Sequence, residues 1–110
     1  MCACQPVSLV ESDYINISMC LGCKRVGLHY KNILCGFEYY DYEQFNESVQ
    51  RISFEKHATE FCGQPRHVIL STCHTDIQFC FTKTEFKFFK EALNEGALML
   101  EVQKAITNGL

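Results

Sequence analysis

The sequence predicts an α+β domain, a mainly antiparallel sheet built from two pseudo-repeated ββα halves with the helices on one face. Three observations carry this reading. Ile33, Phe37, Asp41, Tyr42 and Phe45 match Ile77, Phe81, Glu85, Phe86 and Phe89 at a constant offset of 44 residues. In each copy the apolar residues first alternate, as in a strand, and then recur at helical spacing. A chain of 110 residues holds one domain, and neither half, at about 40 residues, buries enough core to stand alone.

The first expected strand runs from Tyr14 to Met19, with Ile15, Ile17 and Met19 on one face, and leads straight into Cys20-Leu21-Gly22-Cys23. Val26, Leu28 and Tyr30 alternate in the next, and Lys31-Asn32 supplies a tight turn because Asn tolerates left-handed backbone. Ile33, Cys35 and Phe37 then share the inward face of a strand that feeds a helix. Asp41 complements the dipole at that helix's start, whereas Glu38 makes a poor cap. With its N-terminal strand this half spans about 7–56.

Residues 53–67 bridge the halves, with Phe54, Ala58 and Phe61 at helical spacing and Gly63-Gln64-Pro65 as a stop. The second half, about 68–107, offers Val68-Ile69-Leu70, a turn at Thr75-Asp76, and Ile77, Phe79 and Phe81 inward. Thr82 and Glu85 then form a capping box. Phe86, Phe89, Leu93, Ala97 and Leu100 make the core stripe of the last helix, while Phe88, Met99, Val102 and Ile106 fall partly outside it. Apolar residues beyond one stripe call for a second contact, and a homodimer through this C-terminal helix is the economical partner. The competing expectation is that the bridge covers the surplus surface.

Apolar residues at 47% and charged residues at 21% suit a globular chain. A net charge of −3 and a pI near 5.8 leave no basic field for nucleic acid or an anionic membrane. The longest apolar cluster, Ala97-Leu98-Met99-Leu100, falls far short of a membrane span, and the opening Met1-Cys2-Ala3-Cys4-Gln5-Pro6 does not read as a secretory signal. The expected setting is therefore the cytoplasm, where thiols stay reduced.

That setting turns the eight cysteines from disulfide staples towards metal ligands, redox groups or small core residues. Cys20-x-x-Cys23 at a strand-to-strand turn resembles half of a zinc site, since two thiolates at this spacing meet one tetrahedral ion. The nearest second pair is Cys2-x-Cys4, so Cys2, Cys4, Cys20 and Cys23 are the expected ligands, with His57, Cys62 and His67 as substitutes. A thiol-redox role for Cys20 and Cys23 is the rival, and Lys24-Arg25 would assist it electrostatically. Such chemistry favours a helix N-terminus, whereas a strand is expected next. Cys35 aligns with Phe79 and reads as core, Cys80 points to the opposite face, and Cys62 and Cys73 lie near loops. The second half has Gln64 and His67 where the first has Cys20 and Cys23, so the ββα unit folds without the pair.

His29, His57, His67 and His74 stand in no H-E-x-x-H or nucleophile-elbow pattern, and there is no Gly-rich phosphate loop. Asp41 and Glu85 are explained as helix N-terminal charges, and Lys83, Lys87 and Lys90 as a solvated helix face. The functional expectation is a small non-enzymatic binding or adaptor module of unknown ligand with a structural zinc. A thiol-redox protein is the first alternative and a Cys-His hydrolase or transferase the second.

Tyr14-Ile15 before Cys20-x-x-Cys23, then Leu28-His29, Asn32-Ile33, Phe37 and Tyr42-x-x-Phe45, resembles a family of small uncharacterised bacterial proteins of unknown function. Phe81, Glu85-Phe86 and the run from Ala97 to Gln103 are similar to that family's C-terminal helix. The resemblance implies an α+β domain with a recurrent cysteine pair. It supplies no activity, and Cys2-x-Cys4 is not among the residues that carry it.

Overall fold

Strict alternation in three consecutive segments makes one face of a sheet apolar and the other polar. A computed structural model describes residues 5–61 and 63–108. Strands β1 (Pro6–Glu11), β2 (Ile15–Cys20), β3 (Arg25–Tyr30) and β4 (Ile33–Glu38) form an antiparallel meander in the order β1-β2-β3-β4. Register places Ile17 opposite Leu28 and Leu28 opposite Cys35, then Met19 opposite Val26 and Val26 opposite Phe37. All six are at most 3% exposed, so two cross-strand rows form the floor of the core.

The strand β1 breaks the alternation by which strands are read. Its pairing with β2 shifts between Ser8 and Val10, a bulge that leaves the consecutive residues Leu9 and Val10 both buried.

The second half of the chain adds a separate three-stranded antiparallel sheet rather than extending the first. Its strands are β5 (Thr59–Phe61), β6 (Gln64–Ser71) and β7 (Gln78–Phe81), in the order β5-β6-β7. Val68 pairs with Phe81 and Leu70 with Phe79, and all four side chains are buried. Two expectations are corrected here. Gly63-Gln64-Pro65 does not stop a helix; Gly63, at φ +73°, lies between β5 and β6, and β6 begins at Gln64. Ile77 precedes β7 and is exposed.

An aromatic cluster joins the two sheets. Tyr30 of β3 meets the Phe81 ring edge-on at 5.2 Å, and Phe81 and Phe79 stand 4.5 and 5.2 Å from Phe89.

The helices are α1 (Tyr39–Gln50), the single turn α2 (Phe54–His57) and α3 (Lys83–Asn108). The capping box forms as expected: the Thr82 N–H donates to the Glu85 carboxylate at 2.9 Å, and the Glu85 N–H to the Thr82 hydroxyl at 3.4 Å. Glu38 caps α1 by position without a side-chain hydrogen bond. Helix α3, about 39 Å long at 1.5 Å per residue, buries Phe86, Phe89, Leu93 and Leu100. It packs on α1 and on strands of both sheets.

The seam between α1 and α3 is polar, at a four-residue period. The Tyr42 hydroxyl donates to the Leu93 carbonyl at 2.7 Å, Asn46 reaches Asn94, and the Gln50 amide donates to the Lys90 carbonyl at 2.9 Å. Tyr42 is fully buried, and burial pushes its hydroxyl far above the ordinary range, so it remains a donor. Gly96 makes the approach possible, because a Cβ there would collide with the Tyr42 hydroxyl and lie 3.1 Å from Ile17 Cδ1.

Gly96→Ala should therefore destabilise the fold by about 1–3 kcal/mol through overpacking, although Ala is the better helix former. Tyr42→Phe should cost about 1 kcal/mol for the lost hydrogen bond. Because Phe lacks the colliding atom, Gly96→Ala should cost less on a Tyr42→Phe background. A double-mutant cycle by urea unfolding measures this coupling, and strict additivity contradicts the packing described.

Candidate functional site

In an antiparallel meander alternate turns fall at opposite ends of the sheet. The β2–β3 turn therefore lies at one end, with the start of β1 and the end of β4. The β1–β2 and β3–β4 turns lie at the other. Each end carries one chemically distinctive feature.

At the first end is the Cys20–Cys23 turn. Lys24 adopts a left-handed backbone at φ +56°, and its N–H donates to the Cys20 carbonyl at 2.8 Å. The same carbonyl accepts from the Tyr39 hydroxyl at 3.1 Å, which ties the turn to the first residue of α1. The Cys23 N–H donates to Cys20 Sγ at 3.3 Å, which closes the turn on itself. Strand β3 follows at Arg25, so the pair does not itself open a helix.

The other expected ligands, Cys2 and Cys4, lie outside the described residues, as does the substitute Cys62. Among the described residues no three His, Cys, Asp or Glu side chains are grouped to hold a metal. His57 belongs to α2, where its ring is hydrogen-bonded to the Ser53 backbone, and His67 belongs to β6. Cys35 is core, as expected, and its burial and then the neighbouring Cys73 push its thiol up, away from reactivity. Cys80 is exposed.

At the other end a cleft of about 640 Å³ opens between the two turns and α3. Its inner wall is Tyr30 and the buried Phe89. Two exposed aromatics stand at the rim, Tyr14 on the β1–β2 hairpin at 66% and Phe88 on α3 at 60%. Carboxylates come from both sides: Glu11 and Asp13 from the hairpin, and Glu85, Glu91 and Glu95 from the helix. Lys31 is the one basic residue of the lining, which thus carries four net negative charges against three for the whole chain.

Lys31 shows what this environment does to a cation. It sits in the β3–β4 turn with a left-handed backbone, φ +54°. Its ammonium lies 5.4 Å from the centre of the Tyr30 ring and 3.3 Å from the Glu85 carboxylate. The Glu85 partner raises the lysine, while the Thr82 N–H, the Thr82 hydroxyl and Lys31 hold Glu85 below its ordinary 4.5.

Spacing along α3 contained part of this site: Phe88, Glu91 and Glu95 share one helix face. The opposing hairpin does not follow from spacing, because the adjacent buried residues Leu9 and Val10 break the alternation that would mark β1. Of the lysines expected on a solvated face, Lys90 instead donates to the Ile52 carbonyl at 2.9 Å and lies over the Phe86 ring. No helix among the described residues is long and apolar enough to cross a membrane.

Fold and cleft define a small α+β protein with an acidic, aromatic-walled groove at one end of its sheet. The chain belongs to a family of unknown function, DUF6686, whose model matches residues 1–104. No curated protein and no solved structure matches it.

Because its carboxyl is held low, Glu85 stabilises the fold above pH 4.5, and that contribution disappears as pH falls through its lowered folded value. Glu85→Gln keeps an acceptor for Thr82 but loses the charge. It should be less stable than wild type at pH 7 by on the order of 0.5 kcal/mol, with the gap closing below pH ~4. Thermal melts at the two pH values measure this, and a gap unchanged by acid contradicts it.

Proposed function

We propose that this protein is a small non-enzymatic binding module whose ligand occupies the cleft between the β1–β2 hairpin and α3, with a structural zinc at the opposite end of the sheet. The cleft carries the reading. Its volume lies within the range of small-molecule sites, and it combines aromatic walls with a few convergent polar groups. Its described lining contains neither cysteine nor histidine, which favours binding over Cys-His catalysis there.

The zinc reading is supported by strand register. Pro6 pairs with Cys20, so β1 begins beside the cysteine turn. Cys4 precedes Pro6 by two residues in the sequence. Cys20 and Cys23 would hold one half of the site, Cys2 and Cys4 the other. A reducing, cytoplasmic setting goes with this, since zinc takes thiolates and not disulfides. The redox alternative is weaker because β3, not a helix, follows Cys23.

A homodimer is supported separately. Leu98, Val102 and Ile106 follow one another at four-residue spacing on α3 and are 61%, 46% and 55% exposed. Packing two copies through this stripe covers it and leaves Phe88 to the cleft.

Three measurements test these readings. A fragment screen followed by amide chemical shifts should map hits to Tyr14, Lys31, Phe88 and Ala92; hits without preference for these residues end the binding-site reading. Anaerobically purified protein should contain about one zinc per chain, lost in Cys20→Ser and Cys23→Ser; metal-free wild type ends the zinc reading. Light scattering should give twice the chain mass of 12.7 kDa, reverting to monomer in Val102→Glu/Ile106→Glu; a wild-type monomer ends the dimer.

A further inference from the structure

The cleft combines features that select among ligands. Its negative charge is distributed: Glu85 and Glu95 lie ten residues apart on α3, about 15 Å along the helix axis, with Glu91 between them. Glu11 and Asp13 face the same space from the hairpin. Between the carboxylates the surface is aromatic, at Tyr14, Tyr30 and Phe88. Beyond its first turn the helix wall offers side chains only, since its backbone groups are bonded within the helix. A peptide's main-chain amides therefore gain nothing from that wall, whereas methylenes and ammonium groups do. Lys31 demonstrates the chemistry in place, an alkyl ammonium held between the Tyr30 ring and Glu85.

We infer that the cleft binds a linear aliphatic polyamine, its ammonium groups on the carboxylates of both walls and its methylene segments against Tyr14, Tyr30 and Phe88. This rests on the cleft being the ligand site. Spaced charges joined by apolar links match the lining, whereas a compact monocation reaches only one wall. Glu91 and Glu95 are exposed and one helical turn apart, so they can be neutralised without disturbing the core.

The test is an amide-shift titration of the full chain with spermidine, with 1,8-octanediol as the uncharged control and a lysine-containing hexapeptide as the peptide control. Spermidine should saturate shifts at Tyr14, Lys31, Phe88, Glu91 and Glu95, while the diol should not. Affinity should fall at least tenfold in Glu91→Gln/Glu95→Gln and at least threefold in Phe88→Ala, and should weaken with added salt. Non-saturating shifts spread over every acidic surface overturn the inference, as does full affinity in the double variant. If the hexapeptide saturates the cleft and spermidine does not, or if fragments map there and spermidine does not bind, the polyamine is overturned while the binding module stands. If fragments also avoid the cleft, both fall.

Discussion

The Tyr42 hydroxyl against the Leu93 carbonyl fixes how closely α1 and α3 approach, and much else follows from that distance. A buried phenol needs a partner, and the Leu93 carbonyl has a second lone pair to offer if the ring can come close enough. Gly96 supplies the opening. With α3 seated there, Phe89 and Leu93 drop into the core beneath both sheets, and Phe88, Glu91 and Glu95 are left turned towards the β1–β2 hairpin. The wall of the cleft is thus a consequence of the helix seam. Asn46 and Gln50 extend the same seam with hydrogen bonds and set the register of α1 along α3.

Most residues with a regular period were legible, and those depending on long-range register were not. Ile33 and Ile77 are exceptions: alternation turns them inward, but they are exposed, at the start of β4 and just before β7. Ile17, Leu28, Phe37, Tyr42, Phe86, Phe89 and Leu93 all occupy the buried positions that alternation or helical spacing assigns. The capping box at Thr82 and Glu85 is local chemistry and reads directly. Strand β1 was hidden because its bulge buries two consecutive residues, and β5 because three residues are too short to show a period. The split into two sheets was invisible for a different reason: strand pairing across the chain leaves no mark on spacing. Of the cleft, only the α3 contribution could have been seen.

The cysteine turn and the cleft are separated by the length of the meander, six residues per strand or roughly 20 Å. They share strands but no side chains. A metal holding the start of β1 to the β2–β3 turn would stiffen the end of the sheet from which the hairpin extends, without touching the groove. The two features can therefore be tested, and lost, independently. Tyr39 gives the cysteine turn its own link to α1, through the Cys20 carbonyl.

The charge count of the groove has a consequence for encounters in solution. Four net negative charges in the lining, set against three for the chain, leave the remainder of the molecule slightly positive. The protein is therefore an electrical dipole with its negative pole at the mouth of the groove. A cation is attracted to that pole, and the torque falls on the protein, which turns its groove towards the charge. The range of that guidance shrinks with the Debye length, from about 30 Å in 0.01 M salt to about 8 Å at physiological ionic strength.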